Sequence, residues 1–113
     1  MENVAPSGEL IGYKAVKLGH NKLGIAKLLI PAEARRVQQF GNPELRADRA
    51  RVMEIADEYG NMYTAAFSVR DPDTEYIVGK LVVPYHAFDT DPAIKCGSGI
   101  HFFLDRLQAA EYW

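Results

Sequence analysis

From Glu9 to Lys17 the chain reads ELIGYKAVK, in which Leu10, Gly12, Lys14 and Val16 alternate with Ile11, Tyr13 and Ala15. A period of two, rich in β-forming residues and bounded by Gly8 and Gly19-His20-Asn21, predicts a strand. Leu23 to Ile30 predicts a second strand, ended by Pro31, and the short Gly19-His20-Asn21 link predicts a hairpin between them. Tyr63 to Val69 (YTAAFSV) and Thr74 to Val83 (TEYIVGKLVV) predict two more, the latter broken by Gly79 and ended by Pro84. Between them Asp71-Pro72-Asp73 reads as a tight turn, since proline fixes φ and aspartate bonds its own backbone. Ile100 to Phe103 predicts a last short strand.

Three segments carry helical signals. Pro31 suits a first helical position and Ala32 to Arg36 suit a helix, so one or two turns are expected, ending near Phe40-Gly41-Asn42-Pro43. Leu104 to Tyr112 places Leu104, Leu107 and Ala110 or Glu111 at helical spacing and predicts a short amphipathic helix. Leu45 to Glu58 is ambiguous: propensity favours a helix, while Val52, Glu54 and Ala56 against Arg51, Met53 and Ile55 also permit a strand. Taken on its residues alone, that segment leans to helix. Residues 1–8 form a flexible lead-in and Tyr85 to Ser98 a long loop. The expected fold class is α+β, an antiparallel sheet of about five or six strands with a C-terminal helix, in a single domain over residues 1–113.

The chain has 113 residues, 48% hydrophobic and 25% charged, which is ordinary for one globular domain. Thirteen basic and fifteen acidic side chains leave a net charge of −2, which argues against a protein that coats duplex nucleic acid. A single cysteine, Cys96, makes no intrachain disulfide and no structural zinc site alone, so the reducing cytosol is the expected compartment. No apolar run approaches membrane-spanning length, and Met1 to Pro6 lack the basic and apolar regions of a signal peptide. The expectation is a cytoplasmic protein without a membrane partner.

Candidate chemistry is sparse. His20 lies in a turn, His86 in the long loop, and His101 on a strand where it shares a face with Phe103. No two histidines fall at metal-ligand spacing, so no metal site is expected. Cys96 precedes Gly97-Ser98-Gly99, and Lys95 or His101 could lower its pKa, but a small residue closing a turn explains it as well. The Gly-Ser-Gly run lacks the lysine and hydroxyl of a phosphate loop. Asp71 with Asp73 and Asp89 with Asp91 are turn pairs explained by local backbone bonding. The arginines are denser: Arg35, Arg36, Arg46, Arg49 and Arg51 fall within seventeen positions. A guanidinium fork matches phosphate, and aromatics such as Tyr76 and Phe88 stack on bases. The alternative is a solvated face in which these arginines pair with Glu33, Glu44, Asp48 and Glu54.

Tyr76-Ile77-Val78-Gly79, Phe88-Asp89 and Cys96-Gly97-Ser98-Gly99-Ile100-His101-Phe102-Phe103 resemble a small phage-borne domain ending in a C-x-x-G-I-H-F-F pattern, found alone or after pentapeptide repeats. Leu28 to Arg36, Arg46-Ala47 and Val52 to Ile55 match its upstream run, so the resemblance covers about residues 10 to 112. It moves Arg49 to Ala56 toward a strand. The chain departs where that domain carries Trp-Asn-Glu and this sequence has Ala93-Ile94-Lys95. A small protein of this kind also resembles the anti-Thoeris sponge family, which implies an oligomer that sequesters cyclic ADP-ribose-type or cyclic oligonucleotide signals. The implied reading is a non-enzymatic, cofactor-free homo-oligomer in the cytoplasm of an infected host cell. Arg36, Arg46 and Arg106, with Lys95, are then the phosphate contacts, Tyr76 or Phe88 stacks on a base, and His101 donates to a phosphate or ribose oxygen. Tyr112-Trp113 would dock on a neighbouring surface or on its own sheet. Two other classes remain: a protein-interaction or virion accessory domain, and an enzyme that degrades a nucleotide signal with His86 or His101 as base.

Overall fold

The computed structural model describes residues 2–19, 22–69, 74–94 and 97–111. The turns expected at His20-Asn21 and Asp71-Pro72-Asp73, and Lys95, Cys96 and Tyr112-Trp113, lie outside the described residues. Strands β1 (Leu10–Gly19) and β2 (Lys22–Ile30) form a long antiparallel hairpin, with Leu10 opposite Ile30 and Lys17 opposite Leu23. Strand β5 (Ala50–Asp57) lies on the other edge of β2. The outer edge of β1 is shared: β10 (Ile100–Phe103) pairs at Tyr13, and β7 (Ala65–Ser68) pairs at Val16 and Lys17. Beyond β10 come β4 (Glu44–Ala47) and then β3 (Arg36–Val37). The outer edge of β5 is shared in the same way by β6 (Met62–Tyr63) and β9 (Leu81–Val82). Strand β8 (Glu75–Ile77) pairs with β7 and passes through a turn at Val78–Lys80 into β9. The path β7-β1-β2-β5-β9 is thereby tied end to end through β8, and the sheet curls into a half-barrel.

Side chains alternate across this sheet as period two requires. Val16, Ala26, Leu28, Ile30, Val52, Ile55, Ala66, Tyr76, Val82, Ile100 and Phe102 point into one buried cluster. Gly12 makes room for the largest of its β10 members, since a Cβ there would stand 2.4 Å from Cδ2 of Phe102. On the opposite face Ile25 and Phe103 pack with Tyr13 beneath α1 (Arg106–Glu111), whose Ala109 is fully buried. Asp105 caps this helix by accepting the Leu107 amide at 2.9 Å. No helix among the described residues is long and apolar enough to cross a membrane.

The antiparallel sheet and the short C-terminal helix agree with the sequence reading, whereas the described residues form ten strands instead of five or six. Two expected strands are each split, at Thr64 and at the Gly79 turn, where φ is +86°. The helix expected after Pro31 is a single turn, closed by the Ala34 amide on the Pro31 carbonyl at 3.0 Å, and then β3. Leu45 to Glu58 is two strands and no helix. Between Lys27 and Leu28 the register against β5 shifts, leaving Met53 outside the pairing as a bulge and bringing Val52 and Ile55 to the same side. The helix α1 faces the sheet through Ala109, while Leu104 and Leu107 of the expected apolar stripe are exposed.

The turn after β5 is organised by Asp57, whose side chain is almost fully buried. Its carboxylate accepts the Tyr59 and Asn61 amides at 2.9 Å and the Asn61 side-chain amide at 3.0 Å. The Tyr63 hydroxyl and the Lys22 ammonium each reach it at 3.3 Å. The Asn61 side-chain bond foremost, against the opposing effect of burial, holds this carboxyl well below the usual carboxylate range.

Two outcomes are expected. Gly12→Ala overpacks the core and lowers the urea midpoint by the equivalent of about 1–3 kcal/mol. Combined with Phe102→Leu it costs less than the two single changes added, in a double-mutant cycle. Because the folded carboxyl of Asp57 is depressed, its stabilisation is complete above the unfolded value near 4 and is lost as pH falls below it. Asp57→Asn therefore lowers stability at neutral pH and flattens its decline between about pH 5 and 2, measured by urea unfolding at each pH.

Candidate functional site

From Pro84 onward the chain leaves the sheet as a strap, and none of residues 83–94 is fully buried. What holds it is Arg46 of β4, only 4% exposed. Its Nη1 donates to the carbonyls of Asp89 (2.6 Å) and Ser98 (3.0 Å), and Nη2 to those of Asp91 (2.9 Å) and Ile94 (3.1 Å). The Asp89 and Asp91 carboxylates accept the Asp91 and Ala93 amides, so this part of the strap is a pair of aspartate turns. Phe88 sets its ring against two guanidinium groups, 5.4 Å from Arg35 and 5.8 Å from Arg46. Gly97 and Gly99 lie flat on the Arg46 side chain, where a Cβ on Gly97 would stand 2.8 Å from Nη1. Burial makes Arg46 lose its proton more readily, against the opposing pull of Asp89, Asp91 and Glu44.

Strap, β1, β7, β8 and β10 together line a half-open cavity of about 310 Å³. Lys14, in the inward register of β1, donates from Nζ to the His101 carbonyl at 3.0 Å and lies 5.8 Å from the Tyr76 ring centre. Ser68 and Thr74 line the sheet side, and Tyr85, His86 and Ser98 line the strap side. The Tyr85 and His86 rings meet edge to face at 5.0 Å, and the Ser98 hydroxyl donates to the His86 carbonyl at 2.8 Å. His101 also borders the cavity; its Nε2 lies 2.9 Å from the Gly97 carbonyl, and its Nδ1 lies 3.3 Å from Glu44 without the alignment of a hydrogen bond. A lysine, several hydroxyls and aromatic edges in one cavity can hold an anionic, ring-bearing molecule.

The residues expected from sequence are dispersed. Tyr76 and His101 border the cavity, Tyr76 at 1% exposure as a core side chain with no open ring face. Arg46 and Phe88 meet each other outside it, on the strap. Arg36 donates to the carbonyls of Ala34, Pro6, Gly8 and Pro31 at 2.7–2.9 Å, with a longer 3.5 Å contact to Ala32, and so ties the lead-in to the turn after β2. Arg106 is exposed at the start of α1 and does not line the cavity. Lys95 lies outside the described residues. Arg36 and Arg46 therefore end on different segments and present no joint phosphate clamp. Among the described residues no cluster of three or more His, Cys, Asp or Glu is placed to hold a metal ion.

Lys14 and Ser98 were not expected from the sequence as ligand contacts, and Tyr85 was only one of several aromatics able to stack on a base. The available signal was Lys14 itself, a charged residue in the same register as Leu10 and Val16 of a half-buried strand. Replacing Arg36 with Met is expected to leave its carbonyl partners unsatisfied. It should cost about 1–3 kcal/mol and speed amide exchange in residues 2–8, as read by hydrogen exchange and urea unfolding.

A model of a family of unknown function (DUF5758) matches residues 1–109 of the chain. No curated protein and no solved structure matches it.

Proposed function

The chain belongs to this family of unknown function, and from its cavity we propose a binding domain that holds a small phosphorylated nucleotide without converting it. The observation that carries this reading is the Lys14 ammonium inside a cavity of about 310 Å³ walled by hydroxyls and by Tyr85 and His86. A lysine ammonium is a point charge that attracts phosphate from one side, and the exposed Tyr85 ring offers a surface for a base. The volume sits at the small end of the range for ligand sites, about 300–1,000 Å³. It suits a single nucleotide unit or one half of a cyclic nucleotide. A whole cyclic dinucleotide needs further walls, which a second copy of the chain would supply.

Thermal unfolding with AMP, ADP-ribose, cyclic ADP-ribose and cyclic dinucleotides tests the proposal. At a hundredfold excess over its dissociation constant, a true ligand stabilises the fold by about 2.7 kcal/mol. Lys14→Met should weaken that ligand by about 10- to 100-fold, the worth of one charge-assisted hydrogen bond, with circular dichroism unchanged. Recovered ligand should have its original mass. A changed mass would overturn the non-catalytic reading, and no shift with any member of the panel would overturn nucleotide binding.

A further inference from the structure

Residues 84–94 form no strand and bury no side chain fully, yet Pro84, Tyr85 and His86 make one wall of the cavity, with Gly97 to His101 beside them. Such a segment has little to hold it except specific ties. Within the strap, the Asp89 amide bonds the Ser98 carbonyl at 3.1 Å and Ser98 bonds the His86 carbonyl at 2.8 Å, which links its two limbs to each other. Besides the single contact of His101 Nε2 with the Gly97 carbonyl at 2.9 Å, the strap is tied to the sheet by the Arg46 guanidinium, which alone of these two reaches both limbs, through the Asp89 and Ser98 carbonyls. Arg46 does not line the cavity.

We infer that Arg46 is the positioning residue of the binding cavity: it fixes the strap wall from behind and thereby sets ligand affinity without touching the ligand. The inference rests on the cavity being the binding site. Lysine has one nitrogen and cannot bridge four carbonyls in a plane, so charge alone does not replace it. When the strap is loose, only the fraction of molecules with the wall in place binds, and apparent affinity falls by that fraction.

Two variants of the full chain test this. Arg46→Lys keeps the charge and removes the bridge. Gly97→Ala keeps Arg46 but puts a Cβ 2.8 Å from its Nη1, pushing the guanidinium off its acceptors, and it serves if the first variant fails to fold. In both, amides of residues 85–94 and 97–101 should exchange at least tenfold faster while those of β2 and β5 exchange as in the wild type. Affinity for AMP, the probe used, should fall at least tenfold, and the remaining binding should still depend on Lys14. Unchanged exchange in the strap would overturn the inference. Faster exchange with unchanged AMP affinity would overturn the positioning role and leave the cavity reading standing. If the wild type does not bind AMP, the cavity reading fails for that nucleotide, and the exchange of residues 97–101 alone decides whether Arg46 holds the wall.

Discussion

Both outer edges of the β1-β2-β5 ribbon are divided between two short strands, and the rest of the molecule follows from that division. A flat three-stranded ribbon leaves one face to water. Here β10 and β7 pair with different stretches of β1, and β6 and β9 with different stretches of β5, and the sheet they form curls. Curling brings backbones and large side chains close on the concave side, and glycines stand where that happens. Gly12 lies under Phe102, and a Cβ on Gly24 would meet the Ala56 carbonyl at 2.7 Å. The core is thus a product of curvature as much as of hydrophobicity. The cavity is the place where the curl stays open, between β7-β8 and the strap.

Two of the three arginines that looked like phosphate ligands show how a chain of this size secures its irregular parts. A loop has backbone carbonyls with no ladder to join, and burying them without partners is costly. A guanidinium offers five donors in one plane, enough to close several carbonyls at once. Arg46 does this for the strap and Arg36 for the lead-in and the turn after Pro31. Phosphate and a ring of carbonyls ask for the same thing from arginine, donors in a fan, and the sequence carries no information about which oxygen is waiting.

That ambiguity explains much of what could and could not be read in advance. The long hairpin was legible because its period of two runs over enough residues, whereas the last strand and the terminal helix were placed correctly although the apolar stripe expected for the helix faces outward. The segment from Ala50 to Asp57 leaned to helix by propensity alone, its spacing also permitted a strand, and the resemblance favoured the strand that forms; the bulge at Met53 puts Val52 and Ile55, three apart, on one buried face and so blurs the period of two. The helix after Pro31 was a propensity argument in a segment too short for propensity to decide, and the Arg36 bonds fix a turn and strand there instead. Helix α1 is positioned by the small Ala109 because Phe103 and Ile25 already fill the space beneath it, so the leucines turn outward. The candidate site was the least legible part, since its wall is a loop and its charged member is a single lysine inside a strand pattern.

That lysine is the point at which local rules are broken. Position 14 lies in the inward register between Gly12 and Val16, where an aliphatic side chain would pack without cost. A half-buried ammonium must keep hydrogen-bond acceptors, and the His101 carbonyl at 3.0 Å is one of them. That acceptor lies on β10 just past the glycine run that ends the strap, so charge and wall are set by adjoining residues. A fold selected for stability alone has no reason to place a cation there or to leave the curl open beside it. The departure from the pattern falls where a strand, a cavity and the strap meet, which is where a departure carries meaning for binding.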